Sequence, residues 1–168
     1  KNVPSGVGRS SDVKLNDKEM DAVLNRGVKW AVDNNYGEKN DMKHCEEEGC
    51  MSSADSSKVS KKAKARGKKQ LGTLGSGNHF LEIQKVDKIF NEEVADRFGL
   101  KKDQIVVMIH CGSRGFGHQV CSDYLRKVER TFSEEIKRLP EKNLAYAPIK
   151  HSLGQDYFKA MSAAANFA

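Results

Sequence analysis

The chain has 168 residues, 38% hydrophobic and 31% charged, enough for one domain with a real core and a generous polar surface. Its longest apolar run, residues 105–109, is far too short to span a bilayer, and no apolar stretch follows Lys1 as a secretory signal requires. The formal net charge is +6; Lys58, Lys61, Lys62, Lys64, Arg66, Lys68 and Lys69 stand together with no acid among them, which favours a polyanion as partner.

In chain order, residues 1–11 carry Pro4, Gly6 and Gly8 and read as a loop. Asn16 followed by Glu19 is a capping signal for a helix over about 17–32, with Met20, Val23, Leu24, Val28 and Ala31 on one face and Trp30 as an anchor. Residues 33–40 read as a turn, and 44–57 as a short helix and loop. His44, Cys45 and Cys50 are close in sequence but lack a second ligand pair at zinc-site spacing. With no secretory signal, all four cysteines are expected to be reduced in an intracellular compartment. The basic run, 58–69, continues as a helix to Gly67; such runs are often only a solvated face.

Gly72, Gly75 and Gly77 then imply tight backbone geometry or close approach to a ligand. Period-two alternation predicts a strand from about Asn78, with His79 at its start. Residues 87–99 read as a helix with Ile89, Phe90, Val94 and Phe98 inward and Gly99 as its stop. The β-branched run 105–110 reads as a buried strand delivering His110. A turn over 112–117, a helix over about 118–138 ended by Pro140, and a last helix over 157–168 complete the pattern. Alternating strands and helices predict an α/β (α+β layered) fold, a mixed sheet with flanking helices. There is no initiator Met and no stop signal after the last helix, so residues 1–168 are expected to be a segment of something longer, and such a segment can leave sheet edges and apolar faces exposed.

The chemistry centres on two turns. A strand, a glycine-rich turn and a helix start make an anion site, because free amides and the helix dipole point at the ligand. Arg114 adds a bidentate donor for phosphate oxygens. The turn matches neither a Walker loop nor a dinucleotide fingerprint. His110, at a strand end beside it, is placed to bind a divalent metal; a lone buried His bonded to a carbonyl is the blander reading. His79, at another strand end beside a glycine-rich turn, strengthens the metal reading. Neutral imidazole suits several divalent transition ions, manganese, zinc and iron among them. Cys111 faces away from His110 by strand alternation and reads as packing. His118 reads as sitting at a helix start, and His44 and His151 as surface residues.

Leu71-Gly-Thr-Leu-Gly-Ser-Gly-Asn-His-Phe-Leu-Glu-Ile-Gln84 and Met108-Ile-His-Cys-Gly-Ser-Arg-Gly-Phe-Gly-His-Gln119 resemble two signature segments of the RtcB family of RNA ligases, the tRNA-splicing ligases. Pro4-Ser-Gly-Val-Gly8, His44-Cys-Glu-Glu47, Gly154-Gln-Asp-Tyr157 and Ala163-Ala-Ala-Asn-Phe-Ala168 extend the resemblance over essentially the whole chain; the segments around His44 and Gly154 are closer to the eukaryotic branch. The resemblance implies a GTP- and manganese (Mn2+)-dependent ligase that joins 2′,3′-cyclic phosphate or 3′-phosphate RNA ends to 5′-hydroxyl ends through a guanylylated His. It implies two manganese ions, with His79 and His110 as metal ligands. Asn78, His79, Phe80, Leu81 and Glu82 would contact GTP, with Glu82 on the base edge, and Arg66 and Arg114 would hold RNA or nucleotide phosphates. The implied partners are RNA (tRNA exon halves), archease, and a tRNA-ligase complex with a DEAD-box helicase, in nucleus and cytoplasm, with no membrane role. The sequence departs from the family pattern upstream of His79, where no Asp-x-x-Cys motif supplies the bridging Cys. The third metal His and the guanylylated His are expected after Ala168, so residues 1–168 are not expected to ligate alone. Two other readings start from the same residues: a basic RNA-binding module without metal, and a metal-dependent phosphohydrolase using His79 and His110.

Overall fold

The computed structural model describes residues 3–6 and 8–168; Lys1 and Asn2 of the expected N-terminal loop, and Val7 of the Pro4–Gly8 segment, lie outside them, as does the side chain of Lys142. The first helix, α1 (Asp17–Arg26), starts at a complete capping box: the Asn16 side chain accepts from the Glu19 amide at 2.9 Å and the Glu19 carboxylate accepts from the Asn16 amide at 2.7 Å. The predicted helix over 17–32 is broken at Gly27, whose φ of +51° lies in the left-handed region, and resumes as α2 (Val28–Asp33). A Cβ at Gly27 would stand 2.3 Å from the Gly49 carbonyl oxygen, so the break comes from a close approach that periodicity does not reveal. Short 3-10 turns follow at Asp41–His44, Glu46–Gly49 and Ser56–Lys58. The basic run becomes α3 (Lys61–Lys68), capped by Ser60.

The core is helical. Helix α5 (Arg114–Thr131) lies against α3 and against α7 (Ser152–Phe167), and α7 packs on α1. Met20, Leu24, Ala63, Phe116, Ala160 and Ala163 are essentially inaccessible, and the Phe116 and Phe167 rings meet at 4.8 Å. Gly67 lets α3 approach this cluster: a Cβ there would lie 2.5 Å from Met20 Cε and 3.0 Å from Phe116 Cδ2. Helix α5 begins four residues earlier than expected, so Gly115 and Gly117 are helical rather than part of a turn, and His118 sits one turn inside the helix, exposed. Their absent side chains serve packing: a Cβ at Gly115 would meet Gln70 at 3.1 Å, and one at Gly117 would overlap Ser113 Oγ. The helix expected over 118–138 breaks at Phe132, giving a separate α6 (Ser133–Lys137).

The α/β class stands, with the described strands forming one antiparallel ribbon, β1 (Phe80–Lys85) and β2 (Ile105–His110), in the register Phe80↔His110 through Lys85↔Ile105. Their connection carries α4 (Glu92–Arg97), shorter than the predicted 87–99 and closed by Gly99 at φ +67°. Two expectations about burial fail here. The β2 run is exposed, not buried, with Ile105, Val107 and Ile109 all more than 60% accessible. Phe90, Val94 and Phe98 also face outward, at 87%, 47% and 76%. A β-branched apolar run specifies a strand, but burial requires a second layer on its face, and the described helices pack on one another instead. Among the described residues, no helix is long and apolar enough to cross a membrane.

Candidate functional site

Because β1 and β2 run antiparallel, the start of one lies beside the end of the other. That pairing sets Phe80 opposite His110 and puts His79, immediately before β1, at the same end of the ribbon. The His79 and His110 rings stand edge to face at 6.4 Å between centroids, with Phe80 packed on His110 at 5.1 Å. His79 is half-buried, and its Nδ1 is inaccessible and without a hydrogen-bond partner; His110 is exposed. Two imidazoles on one ion, each bonded at about 2.0–2.1 Å, have centroids roughly 5 Å apart, against 6.4 Å between these two rings. The orphaned Nδ1 and the second imidazole fit a divalent transition ion as two of its ligands. Among the described residues, no group of three or more His, Cys, Asp or Glu side chains is gathered for a metal.

The glycine-rich turn shapes this end of the ribbon through Gly75. A Cβ there would lie 2.3 Å from His79 Cδ2 and 2.8 Å from Arg114 Nη1. The turn is tied down by Leu74, whose amide donates to the Pro4 carbonyl at 2.8 Å while its carbonyl accepts from the Gly6 amide at 3.2 Å. Arg114 is the first residue of α5 and sits at φ +56°, a strained position for a residue with a side chain. Its Nη2 donates to the Gly6 carbonyl at 3.0 Å, while Nε is buried without a partner. Phe116, two residues on, anchors the helix start in the core. The guanidinium thus has an unused donor at the N-terminus of an eighteen-residue helix, an arrangement that favours an anion. Beside it, a cleft of about 330 Å³ runs between the ribbon and the α3–α5 junction, lined by Gln70, Leu81, Ile109, Cys111 and Arg114.

The ladder divides the other expected site residues between two faces. Phe80 and Glu82 share a face with His110, and Gln84 Nε2 donates to Glu82 at 2.7 Å. Leu81 is on the opposite face, paired with Ile109, and Asn78 is exposed ahead of the strand. Cys111, expected to pack, is exposed and lines the cleft just past the end of β2, with its thiol 3.9 Å from the Thr73 carbonyl. His44 and His151 are exposed, and the His151 Nδ1 accepts from the Leu153 amide as the cap of α7. Cys50 belongs to the α1–α7 side of the molecule, its thiol 3.5 Å from the Asn25 carbonyl. Gly75, expected from sequence to mark tight geometry or a close approach, braces both His79 and Arg114; Gly6, read only as part of a loop, supplies the carbonyl that holds Arg114.

The basic run is not uniformly a polyanion surface. Lys58 pairs with Asp156 at 2.9 Å, Lys64 with Asp21 at 2.6 Å, and Lys68 with Asp17. The Lys68 contact, through hydrogen bonding and charge, holds the Asp17 carboxyl below the usual range. Arg66 is exposed on the other flank of α3.

A family model described as tRNA-splicing ligase RtcB matches residues 1–168. A tRNA-splicing ligase RtcB of Pyrobaculum aerophilum is 56% identical over 167 residues, 99% of this chain and 34% of that protein. Those of Methanococcus maripaludis and Archaeoglobus fulgidus are 55% and 54% identical, over 100% and 99% of this chain and 35% and 34% of their own length. The chain spans about a third of these relatives. The match spans the turn before β1, the ribbon and the turn after β2, and the chain belongs to the tRNA-splicing ligase RtcB family.

Proposed function

We propose that residues 1–168 supply part of the metal and nucleotide site of a GTP- and manganese-dependent RNA ligase acting in tRNA splicing, joining 2′,3′-cyclic phosphate or 3′-phosphate ends to 5′-hydroxyl ends. The observation that carries the reading is the convergence of His79, His110 and Arg114 at one end of the ribbon, with His79 Nδ1 and Arg114 Nε both buried and unsatisfied. A buried polar group without a partner costs on the order of 1–3 kcal/mol, and a cation on the imidazole and an anion on the guanidinium remove both costs.

In this reading His79 and His110 hold manganese, which when bound polarises and clamps phosphoryl oxygens. Arg114 donates to a phosphate oxygen and keeps it at the α5 N-terminus. In the same reading Asn78, His79, Phe80, Leu81 and Glu82 contact the guanine nucleotide, Glu82 by accepting from the base edge; Phe80 and Glu82 share the His110 face of the ribbon. Arg66 holds an RNA phosphate. The guanylylated His belongs to sequence outside residues 1–168, and the segment is inactive alone. The same reading makes tRNA exon halves, archease and a helicase-containing ligase complex the partners, in nucleus and cytoplasm.

The test is to incubate the full-length protein with α-phosphate-labelled GTP, manganese and RNA halves, and to follow guanylylation and joining. Joining that depends on GTP and is lost in His110→Ala supports the reading. Unchanged joining in that variant removes His110 from the site, and phosphodiester hydrolysis without GTP that outpaces joining replaces ligation altogether.

A further inference from the structure

The cations on and just after α3 are not equivalent. Lys64 and Lys68 face α1 and are neutralised by Asp21 and Asp17. Lys62 and Arg66 lie about 160° around the helix from Lys64, and Lys69, the C-cap residue, about 140°, at spacings of four and three residues along one continuous stripe. All three are exposed, and among the described residues none is in an ion pair. On α5, Asp123 beside the Ser60 cap accepts from Ser60 Oγ at 2.6 Å, Gln119 Nε2 at 2.7 Å and Arg126, so its charge is already engaged. The stripe has a direction. Gln70, next along the same flank, packs within 3.1 Å of where a Gly115 Cβ would be, so this flank of α3 ends at the start of α5, next to Arg114. From Lys62 to Lys69 the helix rises roughly 10 Å, enough for several successive backbone phosphates.

We propose that Lys62 and Lys69 join Arg66 in a phosphate track that leads single-stranded RNA along α3 to Arg114. The inference rests on the RNA-ligase reading and adds to it which cations on α3 touch the strand and which do not. The track carries no base information, since ammonium and guanidinium groups on phosphates position a strand without reading it. Lys64 and Lys68 take no part, because binding phosphate would mean giving up an existing carboxylate partner.

The experiment compares two charge-matched double variants in the full-length protein, Lys62→Ala with Lys69→Ala and Lys64→Ala with Lys68→Ala. Each is titrated with a short single-stranded RNA ending in a 3′-phosphate, between about 50 and 200 mM salt. Each phosphate contact on a single strand contributes about 0.7 to the slope of log affinity against log salt, so the first variant lowers the slope by about 1.4. The second leaves it at the wild-type value and lowers the melting temperature instead, because it strips α1–α3 pairs. An unchanged slope in the first variant overturns the track, as does an equal fall in both, which would mean only net charge matters. In either of those cases a slope lowered by Arg114→Ala keeps the ligase reading intact. Failure of the wild-type protein to bind RNA at all overturns both.

Discussion

Gly75→Ala tests the site through space alone. Gly75 is not in the left-handed region, so alanine fits the backbone without strain. The new Cβ would lie 2.3 Å from His79 Cδ2, and carbon contacts are comfortable at about 3.5–4.0 Å, so the imidazole must retreat by roughly 1.2–1.7 Å. Arg114 Nη1, at 2.8 Å from the same point, must also give way. Overpacking of this kind costs about 1–3 kcal/mol, offset by about 0.4–1 kcal/mol from the stiffer unfolded chain. The net loss appears as a fall in melting temperature. Function should suffer more than stability, because a misplacement of about 1 Å in a positioned group costs on the order of a hundredfold in rate. The assay pairs thermal melting with manganese affinity by calorimetry and RNA joining, all on the full-length protein. Gly112→Ala, in the neighbouring turn, meets nothing within 4 Å and is the stability control. A folded Gly75→Ala protein with wild-type metal affinity and joining rate would refute the placement of His79 and Arg114.

Phe116→Ala removes a fully buried ring that touches Phe167, and should cost about 3–5 kcal/mol in urea unfolding; a loss under about 1 kcal/mol would mean that α5 does not pack as described. Asn16→Ala breaks the capping box of α1 and should cost about 1 kcal/mol, read as a shift in the denaturation midpoint at constant slope. The Tyr124 phenol is pushed up to about 12 by burial, with Asp156, Asp55 and Asp123 further opposing the phenolate. Its folded value lies above the unfolded one near 10, so the stability it contributes is complete below about pH 10 and is lost as pH rises through about 12. Urea unfolding across that range should show this alkaline loss, and an ultraviolet titration giving Tyr124 an ordinary phenol value would contradict it.

Local chemistry was legible in residues 1–168. The Asn16–Glu19 box, the strand ending at His110, the stop at Gly99 and the glycines before His79 each depend on neighbours within a few positions, and each is where its pattern placed it. The two metal candidates were legible for the same reason: both are strand-end histidines beside glycine turns. The limits of the helices were less so. The break at Gly27 and the early start of α5 at Arg114 arise from contacts with Gly49, Gln70 and Ser113, which periodicity within one segment does not contain.

Burial and pairing were decided only by the tertiary structure. The run 105–110 looked like a buried strand because apolar β-branched residues favour one, but nothing among the described residues covers it, and it is exposed. The basic run looked like one surface, yet Asp17 and Asp21 on α1 neutralise one flank of α3 and leave the other open. Sequence by itself determined which residue types stand at the ends of the two strands. The antiparallel register determined that those ends meet, bringing His79, His110 and Arg114 to one place from positions separated by up to 35 residues, because strand pairing acts between segments that no local pattern connects.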